Sequence, residues 1–302
     1  MAAWPCHGAV SAPAVANQES PPRDSHPGQR SHARLVSRLA TVSVVRACLA
    51  LVVLATLIPG PAMVIAGDGD PSPQPGAAAA PLPERVLFIG NSHTERYGGM
   101  DWLVANLVAA EDPPRTYEAE RLTASGVTLA YHFENGAPER IRQGDWDVVV
   151  LQESLPASPT RTAEPFLEYA RRFDEIVRES GARTVFYMTW PQSNYDWADL
   201  DDFIAAHRQV EAELGARIAP VGVAMWRAQA ERPDLALLDA DGVHASWEGA
   251  YLAAAVIYAT LFDRSPQGLD YTFPIRQEDA AILQQIAWET VTDWQAGEPP
   301  AP

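Results

Sequence analysis

Lysine is absent from this 302-residue chain, and all 22 basic residues are arginine. No Walker A loop is present, and neither G-x-G-x-x-G nor H-E-x-x-H occurs. Cysteine is confined to Cys6 and Cys48, both ahead of Gly67. A chain beginning at Gly67 would therefore carry no disulfide and no thiol nucleophile. Asp239-Ala240-Asp241 could touch a cation but lacks the further ligands of a calcium loop, and no cofactor is expected. No internal repeat is found. Positive charge is also scarce, with a formal net charge of −17. Residues before Gly67 hold five arginines and two acids, a surplus of three positive charges, so the chain from Gly67 onward stands at −20. So acidic a surface disfavours nucleic acid and anionic membranes as partners.

No apolar run is long enough for an ordinary membrane span, which takes roughly 20 residues. The run of 12 at Ala47–Ile58 follows Arg34, Arg38 and Arg46 and has the length of a signal-peptide core. Val64-Ile65-Ala66 would precede cleavage before Gly67, and a retained anchor is the alternative. Export to the cell envelope or medium is expected either way. Residues 1–34 read as a disordered leader, or as sequence upstream of the true start. Residues 67–83 read as a Pro/Ala/Gly linker and 297–302 as a frayed tail.

What remains, 84–296, alternates between strand-like and helix-like segments, and 47% apolar content suffices for a core. Strands are expected at 85–89, 117–123, 147–151, 184–189 and 217–221. Helices are expected at 97–110, 129–135, 165–180, 200–214, 247–262 and 277–294, with a helical turn near 224–230. This order predicts a three-layer α/β/α sandwich around a parallel sheet of about five strands, in one domain and as a monomer. Ligands of such sheets bind beyond the carboxyl ends of the strands. The chemically suggestive residues fall there: Ser92 after the first strand, Ser125-Gly126 after the second, Gln152-Glu153-Ser154 after the third, Trp190-Pro191 after the fourth.

Ser92 ends the apolar run Val86–Ile89 through Gly90-Asn91, and a serine so placed is idle without a base. Four histidines follow Gly67. His207 lies on a polar helix segment and reads as solvent-exposed. His93 adjoins Ser92 and projects elsewhere, in a structural or substrate-contact role. His132 sits on a short helix near the cleft rim. His244 follows Asp241 by three residues, close enough for a turn to bring the carboxylate to its Nδ1, with Asp239 the weaker candidate. An oxyanion would need donors, for which the N–H groups of Ser92 and Gly126 and the Gln152 amide are candidates. Glu153 could bind substrate hydroxyls, pair with an arginine or be solvated. Trp190 could stack on a sugar ring or acyl chain.

These blocks resemble the SGNH (GDSL-like) hydrolase superfamily across residues 85–262. Gly90-Asn91-Ser92 is similar to its Gly-Asp-Ser block, Gly126 to its second-block glycine, and Asp241-Gly242-Val243-His244 to its Asp-x-x-His block. Asn91 stands for the usual Asp. Val150-Leu151-Gln152-Glu153-Ser154 stands in place of the third-block Gly-x-Asn-Asp and looks like a Leu-Gln-Glu subgroup, with Gln152 replacing the oxyanion asparagine. The resemblance implies a flavodoxin-like fold, no metal, and ester or acetyl hydrolysis through an acyl-enzyme; with export and Trp190, a small O-acyl group on a carbohydrate is the expected substrate. A non-catalytic ligand-binding protein and an acyltransferase are the alternatives.

Overall fold

In the computed structural model, the strands carry apolar side chains on both faces, as the strands of a covered parallel sheet do. The structure describes residues 82–298, apart from 156, 157, 159, 193–197 and 273. The expected leader, signal segment or anchor at 1–66 lies outside the described residues, as do most of the 67–83 linker and the end of the tail.

Five strands, β1 (Arg85–Gly90), β2 (Glu118–Thr123), β3 (Val148–Gln152), β4 (Arg183–Tyr187) and β5 (Arg217–Ala219), form one sheet in the order β2-β1-β3-β4-β5. Every neighbouring pair is parallel. In β1, Val86 and Phe88 face one core layer, and Leu87 and Ile89 face the other. β3 divides Val148 and Val150 from Val149 and Leu151 in the same way. The edge strand β2 is the exception, with Glu118, Glu120 and Arg121 exposed, which discourages pairing with another sheet.

The first layer packs α2 (Met100–Ala109), α7 (Val221–Glu231), α8 (Trp247–Phe262) and α9 (Gln277–Ala296) on one face. The second packs α3 (Leu129–Glu134), α4 (Ala137–Gln143), α5 (Glu164–Glu179) and α6 (Leu200–Leu214) on the other. α8 is buried along nearly its whole surface, which its Ala-rich, charge-poor sequence permits. The three-layer architecture is as expected, with differences in detail. Chain 221–231 forms a full helix instead of a turn, and α4 was not anticipated. α2 starts at Met100 instead of Tyr97, because Tyr97 adopts φ 55° and Gly98 and Gly99 also lie at positive φ. The sheet order reverses between β1 and β3, and such a switch point opens a crevice beyond the strand ends. Ser92 stands at that point.

Candidate active site

β1 must end in glycine. A Cβ on Gly90 would lie 2.2 Å from Thr94 Oγ1 and 2.6 Å from Gln152 Oε1. Asn91 then caps α1 (Ser92–Glu95), accepting the His93 N–H on its side-chain oxygen at 3.0 Å. Its Nδ2 donates to the Val127 carbonyl at 3.0 Å, which ties the Gly126 loop to the serine turn. From below, Gln152 Oε1 accepts both the Asn91 N–H at 2.9 Å and the Thr94 hydroxyl at 3.0 Å. His132 Nε2 lies 2.7 Å from the Gly90 carbonyl, so that nitrogen carries the proton. The turn holding Ser92 is thus gripped by residues from β3, α1, α3 and the loop after β2.

The partner loop is a short turn closed by a bridge between Leu238 and Ala245. Inside it the Gly242 N–H donates to the Asp239 carbonyl at 2.9 Å, and the Asp239 N–H to the His244 carbonyl at 2.8 Å. Asp241 Oδ1 accepts the backbone N–H groups of Val243 and His244, each at 2.9 Å. Its Oδ2 lies 2.8 Å from His244 Nδ1. The His244 side chain, helped by those two N–H groups, holds the Asp241 carboxyl far below the usual carboxylate range. An anionic Asp241 fixes the imidazole proton on Nδ1 and leaves Nε2 as an acceptor. Nε2 stands 2.9 Å from Ser92 Oγ. The array Ser92–His244–Asp241 can therefore take a proton from the hydroxyl, hold it on an imidazolium beside a carboxylate, and return it.

Of the expected oxyanion donors, the Ser92 N–H stands at the start of α1. Asn91 takes the N–H groups of His93, Thr94 and Glu95, and that of Ser92 is left uncommitted among the described residues. Gly126 lies exposed in the turn after β2 at φ 69°, with open space where a Cβ would be, so its requirement is conformational. Gln152 is 1% exposed; its oxygen is spent on the serine turn, and its Nε2 is buried without a partner.

Four expectations change. Trp190 is not a free stacking surface: it is 3% exposed, and its indole N–H donates to the Val243 carbonyl at 3.0 Å. It braces the loop that carries His244, and the carbohydrate preference that leaned on its ring loses that support. His132 is buried beneath the Gly90 carbonyl and not on a rim. His207 is buried instead of exposed, because its Nδ1 donates back to the Phe203 carbonyl at 2.8 Å and its ring packs on Phe166. Burial lowers its pKa to about 4, so it stays neutral. Glu153 points into the protein, accepting the N–H groups of Leu129 at 3.1 Å and Ser154 at 2.6 Å. Burial raises it to about 7 in spite of those bonds.

His93 emerges as a neighbour of the reacting groups that sequence could not assign. Its ring centroid lies 5.4 Å from that of His244 and 5.0 Å from that of Trp190, and its Nε2 is 2.9 Å from the Gln192 amide. Burial, reinforced by the proximity of His244, lowers its pKa to about 3 and keeps it uncharged. Asp239 does not orient His244; it accepts from the Tyr97 hydroxyl at 2.9 Å and pairs with Arg96. Among the described residues, no cluster of three or more His, Cys, Asp or Glu side chains is arranged to hold a metal ion.

No family model and no curated protein matches the chain. Among solved structures it is similar to a DUF4886 family protein from Bacteroides uniformis, at 17% identity and a TM-score of 0.53. That match covers 72% of this chain and 97% of the other. It is also similar to a candidate SGNH hydrolase from Slackia heliotrinireducens, at 28% identity and a TM-score of 0.48, over 59% of this chain and 98% of the other. A candidate GDSL-like lipase from Parabacteroides merdae matches at 17% identity and a TM-score of 0.48, over 58% and 95%. Two of these three neighbours are described as SGNH or GDSL-like hydrolases, and the match to the DUF4886 family protein shows a shared fold.

Proposed function

We propose that the protein is a serine hydrolase that cleaves esters through an acyl-enzyme. The observation that carries the proposal is the 2.9 Å approach of Ser92 Oγ to His244 Nε2, with the imidazole oriented by Asp241 at 2.8 Å. Ser92 Oγ attacks the ester carbonyl while His244 Nε2 takes its proton. The carbonyl oxygen gains the negative charge and is met by the N–H groups of Ser92 and Gly126 and by Gln152 Nε2. His244 then returns the proton to the leaving alcohol oxygen as the C–O bond breaks. Water repeats the sequence on the acyl-serine and frees the acid.

The substrate proposed is an ester of a small acyl group. Export belongs to the same proposal, resting on the arginine-preceded run Ala47–Ile58, and secreted material would begin at Gly67. The decisive experiment treats purified protein with a fluorophosphonate and with short p-nitrophenyl esters. Labelling at Ser92 and ester turnover are expected, both abolished in Ser92→Ala. Full esterase activity in Ser92→Ala would overturn the proposal, and absence of both labelling and turnover in the wild type would favour a binding protein on this fold.

A further inference from the structure

Ser92 and His244 come from distant parts of the chain, and proton transfer between them depends on the 2.9 Å approach of Oγ to Nε2. A displacement of about 1 Å in such an array can cost about 10²-fold in rate. The loop that carries His244 is braced from the β4 side by the Trp190 indole on the Val243 carbonyl. A second brace comes from the nucleophile's own segment.

Tyr97 lies five residues beyond Ser92, just after α1 and Arg96. Its hydroxyl donates to the Asp239 carboxylate, 2.9 Å from Oδ1 and 3.2 Å from Oδ2, and Arg96 pairs with the same carboxylate. Its ring stacks on Trp247, with 4.0 Å between centroids and 28° between planes. Asp239 precedes His244 by five residues, and Trp247 follows it by three. One side chain therefore grips the His244 loop on both flanks of the imidazole, by its hydroxyl before it and by its ring after it.

Tyr97 reaches this position through a strained backbone. It adopts φ 55°, a left-handed conformation that bulky residues rarely take, and Gly98 and Gly99 follow at φ 94° and 99°. Strain of this kind persists only where the surroundings impose it, and it gathers at functional sites. The turn of the His244 loop is closed by the Asp239 backbone, whose N–H donates to the His244 carbonyl and whose carbonyl accepts from Gly242. The carboxylate is thereby left for Tyr97 and Arg96.

We infer that Tyr97 is a positioning residue that, with Asp239, clamps the base's loop to the nucleophile's segment and so sets the Ser92–His244 approach. The inference rests on the serine-hydrolase proposal, and Tyr97 acts through Asp239 and Trp247.

The test measures kcat and KM for a p-nitrophenyl ester, and the rate of fluorophosphonate labelling at Ser92, in Tyr97→Phe and Asp239→Ala. Phenylalanine keeps the ring on Trp247 and loses the hydroxyl. Alanine keeps the backbone bonds of the turn and removes the acceptor that Tyr97 and Arg96 share. Both kcat and labelling rate should fall, about tenfold in Tyr97→Phe and about 10²-fold in Asp239→Ala, with KM within about twofold of wild type. The double variant should be no slower than Asp239→Ala alone, because the hydroxyl then has no partner left to lose. Glu111→Gln is the control: it disturbs a cluster with Arg115, Arg264 and Tyr258 away from the site, and should lower the melting temperature without changing kcat.

Wild-type kcat and labelling in both folded variants would overturn the inference, as would equal losses of kcat in Glu111→Gln. A wild-type protein with neither labelling nor turnover would instead overturn the hydrolase proposal. The clamp would then be read in the downfield Nδ1 proton of His244 by NMR. That resonance should broaden in Asp239→Ala and stay sharp in Glu111→Gln, and a sharp resonance in both would overturn the clamp.

Discussion

Replacing Asp241 by Asn should remove most activity while leaving the loop folded, because the two carboxylate oxygens do different work. Oδ1 accepts two backbone N–H groups and shapes the turn from Asp241 to His244; Oδ2 faces His244 Nδ1. An asparagine can keep its oxygen on the two backbone donors. Its NH2 then faces Nδ1, which must become the acceptor, and the imidazole proton moves to Nε2. An Nε2–H cannot take the proton of Ser92.

A wrong tautomer of this kind costs about 10⁴-fold in kcat in the best-studied serine hydrolases. Here a loss of about 10³- to 10⁴-fold is expected, equivalent to about 4–5.5 kcal/mol of transition-state stabilisation. Since the interaction strengthens only as the imidazolium forms, kcat and kcat/KM should fall together with KM nearly unchanged. The loop should stay folded with a modest loss of stability, since the asparagine oxygen keeps the Val243 and His244 N–H groups while the charge that the fold favours is removed. Asp241→Ala, which also abandons Val243 and His244 N–H, should lower activity at least as far. The assay is steady-state hydrolysis of the best p-nitrophenyl ester, with the melting temperature measured alongside. An Asn variant that stays folded and within a few-fold of wild-type kcat would refute the role assigned to Asp241.

Glu153 gives a pH signature. Its pKa rises from an ordinary 4.5 to about 7 on folding, so its protonated form is the one the fold favours. Stability from this group is complete below pH 4.5 and declines as pH rises toward 7, by up to about 3 kcal/mol. Denaturant titrations of wild type and Glu153→Gln should diverge across that window, and a constant difference would sink the assignment. Gln152→Glu keeps the oxygen that Asn91 and Thr94 need but deletes the Nε2 donor and adds charge. Its kcat should fall about 10²- to 10³-fold, and wild-type turnover in this variant would rule Gln152 out as an oxyanion donor.

The sheet was legible because β1 and β3 are runs of Val, Leu, Ile and Phe with no polar interruption, which only a doubly covered strand tolerates. Ser92, Asp241 and His244 could be brought together on paper for a local reason: a strand end fixes the serine, and three residues of spacing fix the acid to the imidazole. Side-chain direction was not legible. His207 looked exposed beside Arg208 and Gln209, but a bond to its own helix at Phe203 satisfies one ring nitrogen and lets the ring turn inward. Trp190 stands at the right end of β4, yet its partner Val243 is 53 residues away, and no local pattern reveals which side of the strand the indole takes. Glu153 looked like a ligand contact for the same reason, and its partner is the first N–H of α3.

Gln152 is held in one orientation by the turn above it. The Asn91 N–H can only donate, so the atom of Gln152 that meets it at 2.9 Å must be the oxygen, and the Thr94 hydroxyl adds a second bond to it. The amide cannot flip without setting two donors against each other. Its Nε2 is therefore held buried without a partner, a situation that costs about 1–3 kcal/mol and that folded proteins rarely keep without use. A negative oxygen forming above Ser92 would supply the missing acceptor only when the transition state is reached, which is when such a bond accelerates a reaction instead of merely tightening substrate binding. Under the proposed mechanism one rigid amide would do two jobs: its oxygen positions the turn that carries Ser92, and its nitrogen would meet the charge that the nucleophile creates.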